Sequence, residues 1–196
     1  MQAQARTITA AAEASHPLAL APSLSSNLAR SIARLVKWVL DPTTTATRAT
    51  VVIRLMAGAV FLSEGILKFV YTNQGVGRFT KLGFPFPDAM ATGIGAFEIV
   101  GGLLLLGGLF TRLIAIGFSI EMVVAVLTTK IALYLGTSPL PMPAAAPKLG
   151  IWAVLHETRS DWAQLLCCVF LVVVGAGALS IDALRAKRGA QQMLHT

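Results

Sequence analysis

Four long apolar stretches constrain the fold of this chain more than any other feature of its sequence. They lie near residues 49–71, 88–109, 112–135 and 161–183. Each is close to the ~20 residues that a helix needs to cross ~30 Å of hydrocarbon. Only 13% of the 196 residues are charged, against about 25% in an ordinary soluble domain. The sequence therefore predicts an all-α, polytopic membrane protein built on a four-transmembrane-helix bundle.

The links between these stretches predict how the helices follow one another. The second link is very short, near residues 110–112, which favours a tight antiparallel pair. The third link is long, contains four prolines and ends in the apolar segment LGIWAVL. We expect that segment to form a short interfacial helix or a lid.

The chain divides by composition into four segments. They are a disordered tail at residues 1–23, an amphipathic interfacial helix at 24–41, a four-helix transmembrane domain at 48–185 and a cytoplasmic tail at 186–196. The amphipathic helix places Arg30, Arg34 and Lys37 opposite an apolar face, which is typical of a helix in the headgroup layer near anionic lipids. A partner-binding helix is the alternative.

The distribution of Lys and Arg predicts the orientation. If both ends of the chain lie on one side of the membrane, that side holds eight Lys and Arg outside the spans, and the other side holds four. Positive charge concentrates on the cytoplasmic side, so both termini are predicted to be cytoplasmic. The basic residues flank the apolar stretches and do not form a nucleic-acid-binding face.

Charged residues inside the apolar stretches form the candidate site. Arg54, Glu64 and Lys68 share one stripe of a helix, and Glu98 and Glu121 lie at similar depth on two neighbouring helices. A charge at mid-membrane costs about 2.5–3.5 kcal/mol on insertion scales. We therefore expect these side chains to face the bundle interior and one another. Glu64 and Lys68, four residues apart, can also touch each other.

Two interpretations of these charges remain open. The first is a structural ion-pair network that fixes the register of the helices. The second is a polar cavity that binds a ligand or handles protons, which is the default interpretation for ionisable residues inside a membrane.

Other reactive residues carry a weaker signal. Cys167 and Cys168 are adjacent in an apolar run, and we expect small buried hydrophobes, with disulfide or quinone chemistry as the alternative. A polar cluster before the fourth stretch is interpreted as ion pairs on the outer surface, and no metal site is predicted. It contains His156, Glu157, Arg159 and Asp161.

Several short motifs, taken together, resemble the DoxX family. They are Arg54, Gly65 with Lys68, Glu98 with Gly101 and Gly102, Gly108 with Thr111 and Arg112, and Met122 with Ala125. The stretch LGFPFPDAMATGIGAFEIVGGLLLLGGLFTR is similar to the corresponding part of that family, and the resemblance covers roughly residues 48–185. It implies a four-helix integral protein of the bacterial cytoplasmic (inner) membrane.

The resemblance also implies a role beside an oxidoreductase. Some relatives are small membrane subunits of thiosulfate:quinone oxidoreductases, and others are thought to tether redox and detoxification enzymes at the membrane. The prediction is thus, at most, the membrane subunit of an oxidoreductase, with a buried pocket for a quinone or a small sulfur compound. In that pocket Arg54 and Lys68 would supply positive charge, and Glu98 with Glu121 would handle protons.

The expected partners follow from the same reasoning. The chain has no motif for covalent attachment of a cofactor, so a partner subunit or a bound quinone would have to supply electrons. Contact with the lipid bilayer and with a partner subunit or a second copy is expected, and contact with nucleic acid is not. A small membrane transporter, or a non-catalytic scaffold that recruits redox enzymes, are the alternatives.

Overall fold

The computed structural model describes residues 24–40 and 47–193. The predicted disordered tail at residues 1–23 lies outside the described residues, as do 41–46 and 194–196. All regular structure in the described part is helical, which confirms the all-α prediction. The helices are α1 (Leu24–Leu40), α2 (Thr50–Val70), α3 (Val76–Lys81), α4 (Pro87–Gly107), α5 (Thr111–Leu135), α6 (Gly150–Glu157), α7 (Arg159–Val174) and α8 (Ile181–Met193).

Helix α1 is amphipathic. It has 17 residues and ends at Leu40, close to the predicted end of the amphipathic segment. Its apolar side chains, including Leu28, Ile32 and Leu35, are exposed, and so are the basic Arg30 and Arg34 of the other face. The helical conformation agrees with the sequence, and its place at the membrane surface stays a prediction.

Three helices of the described chain are long and apolar enough to cross a membrane. Helices α2 and α4 have 21 residues each and α5 has 25. Large apolar side chains on all three are exposed, among them Val52, Val100 and Ile131. Such surfaces are satisfied by lipid and not by water. These helices therefore support the polytopic membrane fold that the sequence predicted.

The fourth apolar stretch is shorter than predicted. Helix α7 has 16 residues, about 24 Å at 1.5 Å per residue, and it ends at Val174 instead of continuing to residue 183. Gly175 then adopts a φ of 82° and turns the chain. The Arg112 guanidinium donates hydrogen bonds to the carbonyls of Val172 and Val173, at 3.1 and 3.3 Å. Arg112 thus satisfies carbonyl groups at the end of the helix that would otherwise be unpaired.

Helix α8 begins directly after this turn. It runs without a break through residue 186, where the sequence suggested a boundary between the transmembrane domain and a tail. Ser180 stabilises its start, because the hydroxyl accepts a hydrogen bond from the Ala183 backbone N–H at 3.0 Å.

Four helices pack around one interior. Helix α2 packs most closely on α4, and α5 on α7, while α2 also contacts α7 and α4 contacts α5. The two short helices cover one end of this bundle, α3 against α4, and α6 against α5 and α7. Only residues 108–110 connect α4 to α5, as the sequence predicted, but the close partner of α4 is α2 and that of α5 is α7, so the tight pair predicted from this link is not the closest packing in the bundle.

Glycines allow α2 and α4 to approach closely. A Cβ added to Gly102 would lie 2.8 Å from the carbonyl oxygen of Gly58, and a Cβ added to Gly65 would lie 2.8 Å from that of Gly95. Real Cβ atoms do not approach a backbone atom this closely, so only glycine fits at these crossings. These glycines of α2 and α4 are therefore part of the contact surface of the two helices.

Replacing Gly102 by alanine is expected to lower the free energy of unfolding by about 2 kcal/mol, because the added methyl group must push α2 away. Gly93→Ala is the matched control on the same helix, since its added Cβ would have no heavy atom within 4 Å. Alanine should there be neutral or stabilising by up to about 1 kcal/mol. Unfolding of both variants in mixed detergent micelles would test this, and equal stability would contradict the close contact.

Candidate functional site

One half of the bundle interior contains a cavity of about 450 Å³. Its walls are the C-terminal half of α2, the N-terminal half of α4, α5 from residue 117 to 129 and the first residues of α7. Residues of α3 and the loops beside it complete one end. Pockets for small organic ligands usually occupy about 300–1,000 Å³, so the cavity has the size of such a site.

A salt bridge between α2 and α4 lies at this cavity. The Lys68 ammonium is 2.6 Å from Glu98 Oε2 and donates a hydrogen bond to Oε1 at 2.7 Å. The two side chains are only 13% and 3% exposed. Each stands opposite a glycine of the other helix, because a Cβ at Gly65 would lie 2.9 Å from Glu98 Cβ, and one at Gly95 would lie 3.3 Å from Lys68 Cβ. The glycines thus make room for the ion pair.

Glu121 of α5 joins this pair. Its carboxyl group interacts with Glu98 by a side-chain hydrogen bond and lies within the field of Lys68. Its Oε2 atom is buried and has no hydrogen-bond partner in the protein. Lys68, Glu98 and Glu121, named here the carboxylate cluster, therefore bring one cation and two carboxyl groups together at the cavity, and one carboxyl oxygen has no partner in the protein.

Gln164 of α7 is a cavity residue that the sequence analysis did not single out. It is 6% exposed, and its Oε1 atom is buried without a hydrogen-bond partner. An unpaired buried amide oxygen costs about 1–3 kcal/mol, which a ligand or water can recover. The signal in the sequence was an isolated amide in the apolar run WAQLLCCVFLVVV, three residues after Asp161 and on the same helix face.

A second ion pair lies nearer the end covered by α3 and α6. Lys130 is 3.3 Å from Asp161 and donates a hydrogen bond to the Glu157 carbonyl at 2.9 Å. Asp161 and Arg78 both line the cavity. Of the polar cluster predicted on the outer surface, Asp161 therefore faces the cavity, while Arg159 bonds to the backbone of His156.

The remaining predicted site residues occupy two different places. Glu64 lines the cavity and is exposed, and Lys68 forms its salt bridge with Glu98 instead of with Glu64. Arg54 is not among the cavity residues and lies about 21 Å along α2 from Lys68, at 1.5 Å per residue. The structure thus brings together Lys68, Glu98, Glu121 and Glu64, and it separates Arg54 from them.

Arg54 belongs to a cluster at the other end of the bundle. It is 1% exposed, and its Nη2 donates a hydrogen bond to the Leu179 carbonyl in the turn after α7. Asp182 lies near enough for its charge to act on the guanidinium. The Asp182 carboxylate also accepts hydrogen bonds from the backbone N–H groups of Phe110 and Thr111, both at 3.3 Å. Arg54 therefore joins α2 to the turn before α8.

The cysteines are free thiols. Cys168 is fully buried in the apolar core, as the sequence suggested, and Cys167 is half-buried with its sulfur 3.8 Å from that of Met56. Within the described residues, no three His, Cys, Asp or Glu side chains are close enough together to hold a metal ion.

These features define a class: small polytopic membrane proteins with a charged cluster inside one half of a helical bundle. The family model named DoxX matches residues 49–131. Together with the relative described next, this match shows that the chain belongs to the DoxX family, as its motifs predicted.

Two relatives cover most of the chain. An uncharacterised membrane protein of Mycobacterium tuberculosis, Rv3486, is 39% identical over 146 residues, which are 71% of this chain and 83% of the relative. CatD of Bacillus subtilis, named provisionally as an oxidoreductase, is 27% identical over 133 residues, or 68% of this chain and 84% of CatD. No solved structure matches the chain significantly.

Proposed function

We propose that this protein is the membrane subunit of an oxidoreductase system and that its cavity binds the head group of a quinone. One observation carries the proposal: the carboxylate cluster and Gln164 meet in a ligand-sized cavity whose walls are otherwise largely apolar. The provisional name of CatD supports the oxidoreductase part.

The apolar walls favour a lipid-soluble ligand over a small sulfur compound. Aromatic rings of Phe79, Phe84 and Phe97 line the cavity. Three of its wall residues are also exposed, Ile120 at 61%, Val124 at 44% and Phe97 at 37%. A quinone has a polar ring and a long apolar tail, so its ring would fit the cavity while its tail passes between α4 and α5 into lipid.

The polar side chains of the cavity can form hydrogen bonds with both the oxidised and the reduced form of a quinone. The Lys68 ammonium can donate a hydrogen bond to a quinone carbonyl, and Glu121 Oε2 and Gln164 Oε1 can accept hydrogen bonds from the hydroxyls of a quinol. Reduction of a quinone to a quinol takes up two electrons and two protons. Glu98 and Glu121 would pass the protons, and a redox cofactor in a partner subunit would supply the electrons.

The proposed setting is the bacterial cytoplasmic membrane, with both termini in the cytoplasm. The two relatives come from bacteria, and the excess of Lys and Arg lies on the side of the termini. The partner subunit that supplies electrons would then bind to the helical bundle of this protein at the membrane.

Native mass spectrometry of the protein extracted gently from its own membrane should show a bound quinone, and added decylubiquinone should bind the emptied protein. Glu121→Gln should weaken this binding by up to about tenfold, because one hydrogen bond contributes about 0.5–1.5 kcal/mol and about 1.4 kcal/mol is a factor of ten. Asp88→Asn is the control, since it removes an exposed carboxylate from α4 outside the cavity.

Two outcomes would contradict the proposal. An empty cavity that also rejects decylubiquinone would remove the ligand, and copurifying soluble enzymes would then favour a scaffold. Uptake of a labelled solute by liposomes that contain the protein would favour a transporter instead.

A further inference from the structure

The four-helix bundle is solid in one half and hollow in the other. The buried apolar core occupies the half that contains the start of α2 and the end of α7, with Ala57, Leu105, Ile114, Ala115, Cys168 and Leu171 at its centre. The cavity residues begin at Val60 on α2 and at Gly117 on α5, and they continue to the end covered by α3 and α6. The two regions therefore follow each other along the bundle axis.

An aromatic layer separates the cavity from the core. The rings of Phe61 and Phe118 stack with their centroids 3.7 Å apart, and the edge of Phe97 meets Phe118 at 4.9 Å. Glycines receive two of these rings, because a Cβ added to Gly117 would lie 2.6 Å from Phe97 and one added to Gly101 would lie 2.6 Å from Phe118. Rings packed this closely against backbone leave no path for water.

The far end of the solid half is also closed. The hydrogen bond from Arg54 to Leu179 holds the turn after α7 against α2. Asp182 fixes the start of α8 to the start of α5 through two backbone hydrogen bonds. At this end of the bundle, which contains the starts of α2, α5 and α8, hydrogen-bonded backbone and then the packed apolar core lie between the solvent and the cavity.

The hollow half, in contrast, has polar side chains from Glu121 to the end covered by α3 and α6. Its charged residues are Glu64, Lys68, Arg78, Glu98, Glu121 and Asp161. Gln74 and Ser160 lie near the end covered by α3 and α6, and Thr128 and Gln164 lie between that end and Glu121. Hydroxyl, amide and carboxylate groups in this order can hold a chain of waters.

We infer that water and protons reach Glu98 and Glu121 only from the end of the bundle covered by α3 and α6, so that the site is open to one side of the membrane. The access itself does not depend on any ligand. A second part of the inference rests on the proposed function. Quinol oxidation would release its two protons on the α3/α6 side of the membrane, and quinone reduction would take up two protons from that side.

Two alanines of α5 provide a matched test. Ala125 lines the cavity, and Ala115, ten residues earlier on the same helix, is fully buried in the solid half. Each is replaced by cysteine in a full-length chain that carries Cys167→Ser and Cys168→Ala. A charged, membrane-impermeant thiol reagent is then applied to either side of sealed vesicles. Thr72→Cys, in the α2–α3 link, and Ala190→Cys, on exposed α8, report the two sides.

We expect Ala125→Cys to react from the side that labels Thr72→Cys and not from the side that labels Ala190→Cys. Ala115→Cys should react at least about tenfold more slowly from either side, because only opening of the fold exposes a core thiol. Labelling after unfolding in SDS confirms that each thiol is present and unoxidised, and a thermal melt confirms that each variant is folded.

Reaction of Ala125→Cys from the α8 side, from both sides or from neither would overturn the inference, as would equal reaction of Ala115→Cys. If Ala115→Cys does not fold, Ala57→Cys takes its place, since Ala57 is also fully buried in the solid half. The quinone-binding measurement is separate. One-sided labelling without quinone binding would therefore refute the proposed function and leave the access intact.

Discussion

Replacing Lys68 by methionine is expected to lower the free energy of unfolding by about 3 kcal/mol, because it leaves the Glu98 carboxylate without its cation in a buried place. The effect follows from the geometry of the pair, with contacts of 2.6 and 2.7 Å and side chains that are 13% and 3% exposed. Methionine keeps most of the volume of the lysine side chain, so loss of packing contributes little. Reversible unfolding in mixed micelles, or steric trapping in bicelles, measures the change.

A double-mutant cycle measures how much the free energy of unfolding depends on the contact between Lys68 and Glu98. Glu98→Gln alone should also destabilise, since the Lys68 ammonium then loses its salt-bridge partner in a place where its side chain is only 13% exposed. The double variant Lys68→Met and Glu98→Gln should recover much of the loss, because replacing both charges avoids an uncompensated one. Additive losses in the cycle would show that the two side chains do not depend on each other.

The same cycle distinguishes the two interpretations that the sequence left open. If the pair only fixes the register of α2 and α4, the stable double variant should bind decylubiquinone as the unaltered protein does. If the cavity is a quinone site, the double variant should fold and yet lose binding, because both the donor and a proton-handling carboxylate are gone. Stability and binding then change independently, which a purely structural pair would not allow.

Helix position and helix contact could be predicted from this sequence because both depend on local patterns. Apolar length locates α2, α4 and α5. The glycines on the same faces as Lys68 and Glu98 predict where these two helices approach, because no other residue permits such contact. Lys68 and Glu98 then meet because a charge inside a membrane has to find its partner within the bundle.

The grouping of the charges could not be predicted in the same way, since it depends on depth and on contacts between distant segments. Arg54 shares a helical stripe with Lys68, yet it bonds to Leu179, 125 residues later in the chain. Helical periodicity predicts which side chains share one face of a helix. It does not predict which distant segment packs against that face at a given depth in the membrane. Gln164 was missed for the same reason, because its importance comes from lining the same cavity as Glu98 and Glu121.

Apolar composition did not predict that α7 ends at Val174. Residues 161–183 are apolar enough to suggest one continuous span, but the carbonyl groups near residue 174 have donors available from Arg112, and the glycines that follow allow the turn. A helix inside a membrane can end only where its free carbonyls are satisfied by protein. Arg112 performs that task at the end of α7, and Arg54 bonds to the Leu179 carbonyl in the turn that follows.

Gly108→Ala should destabilise the protein by at least about 3 kcal/mol, through the Arg54 cluster. Gly108 ends α4 with a φ of 69°, which costs a residue with a side chain about 1–2 kcal/mol. Its added methyl group would also overlap the Arg54 guanidinium and lie 2.6 Å from Ser180 Cβ. Arg54 would have to move and release the Leu179 carbonyl, and a hydrogen bond from a charged group contributes about 1.5–3 kcal/mol.

Gly136→Ala isolates the backbone part of this effect. Gly136 ends α5 with nearly the same φ, 71°, but its added Cβ would meet only the Leu149 side chain, at 3.3 Å. It should therefore cost about 1–2 kcal/mol, the strain of the left-handed conformation alone. The excess loss in Gly108→Ala then measures the Arg54 contact, and equal losses in the two variants would mean that the guanidinium does not lie against Gly108. Because Arg54 is far from the cavity, folded Gly108→Ala protein should still bind decylubiquinone, whereas loss of binding at unchanged stability would place Arg54 back in the ligand site.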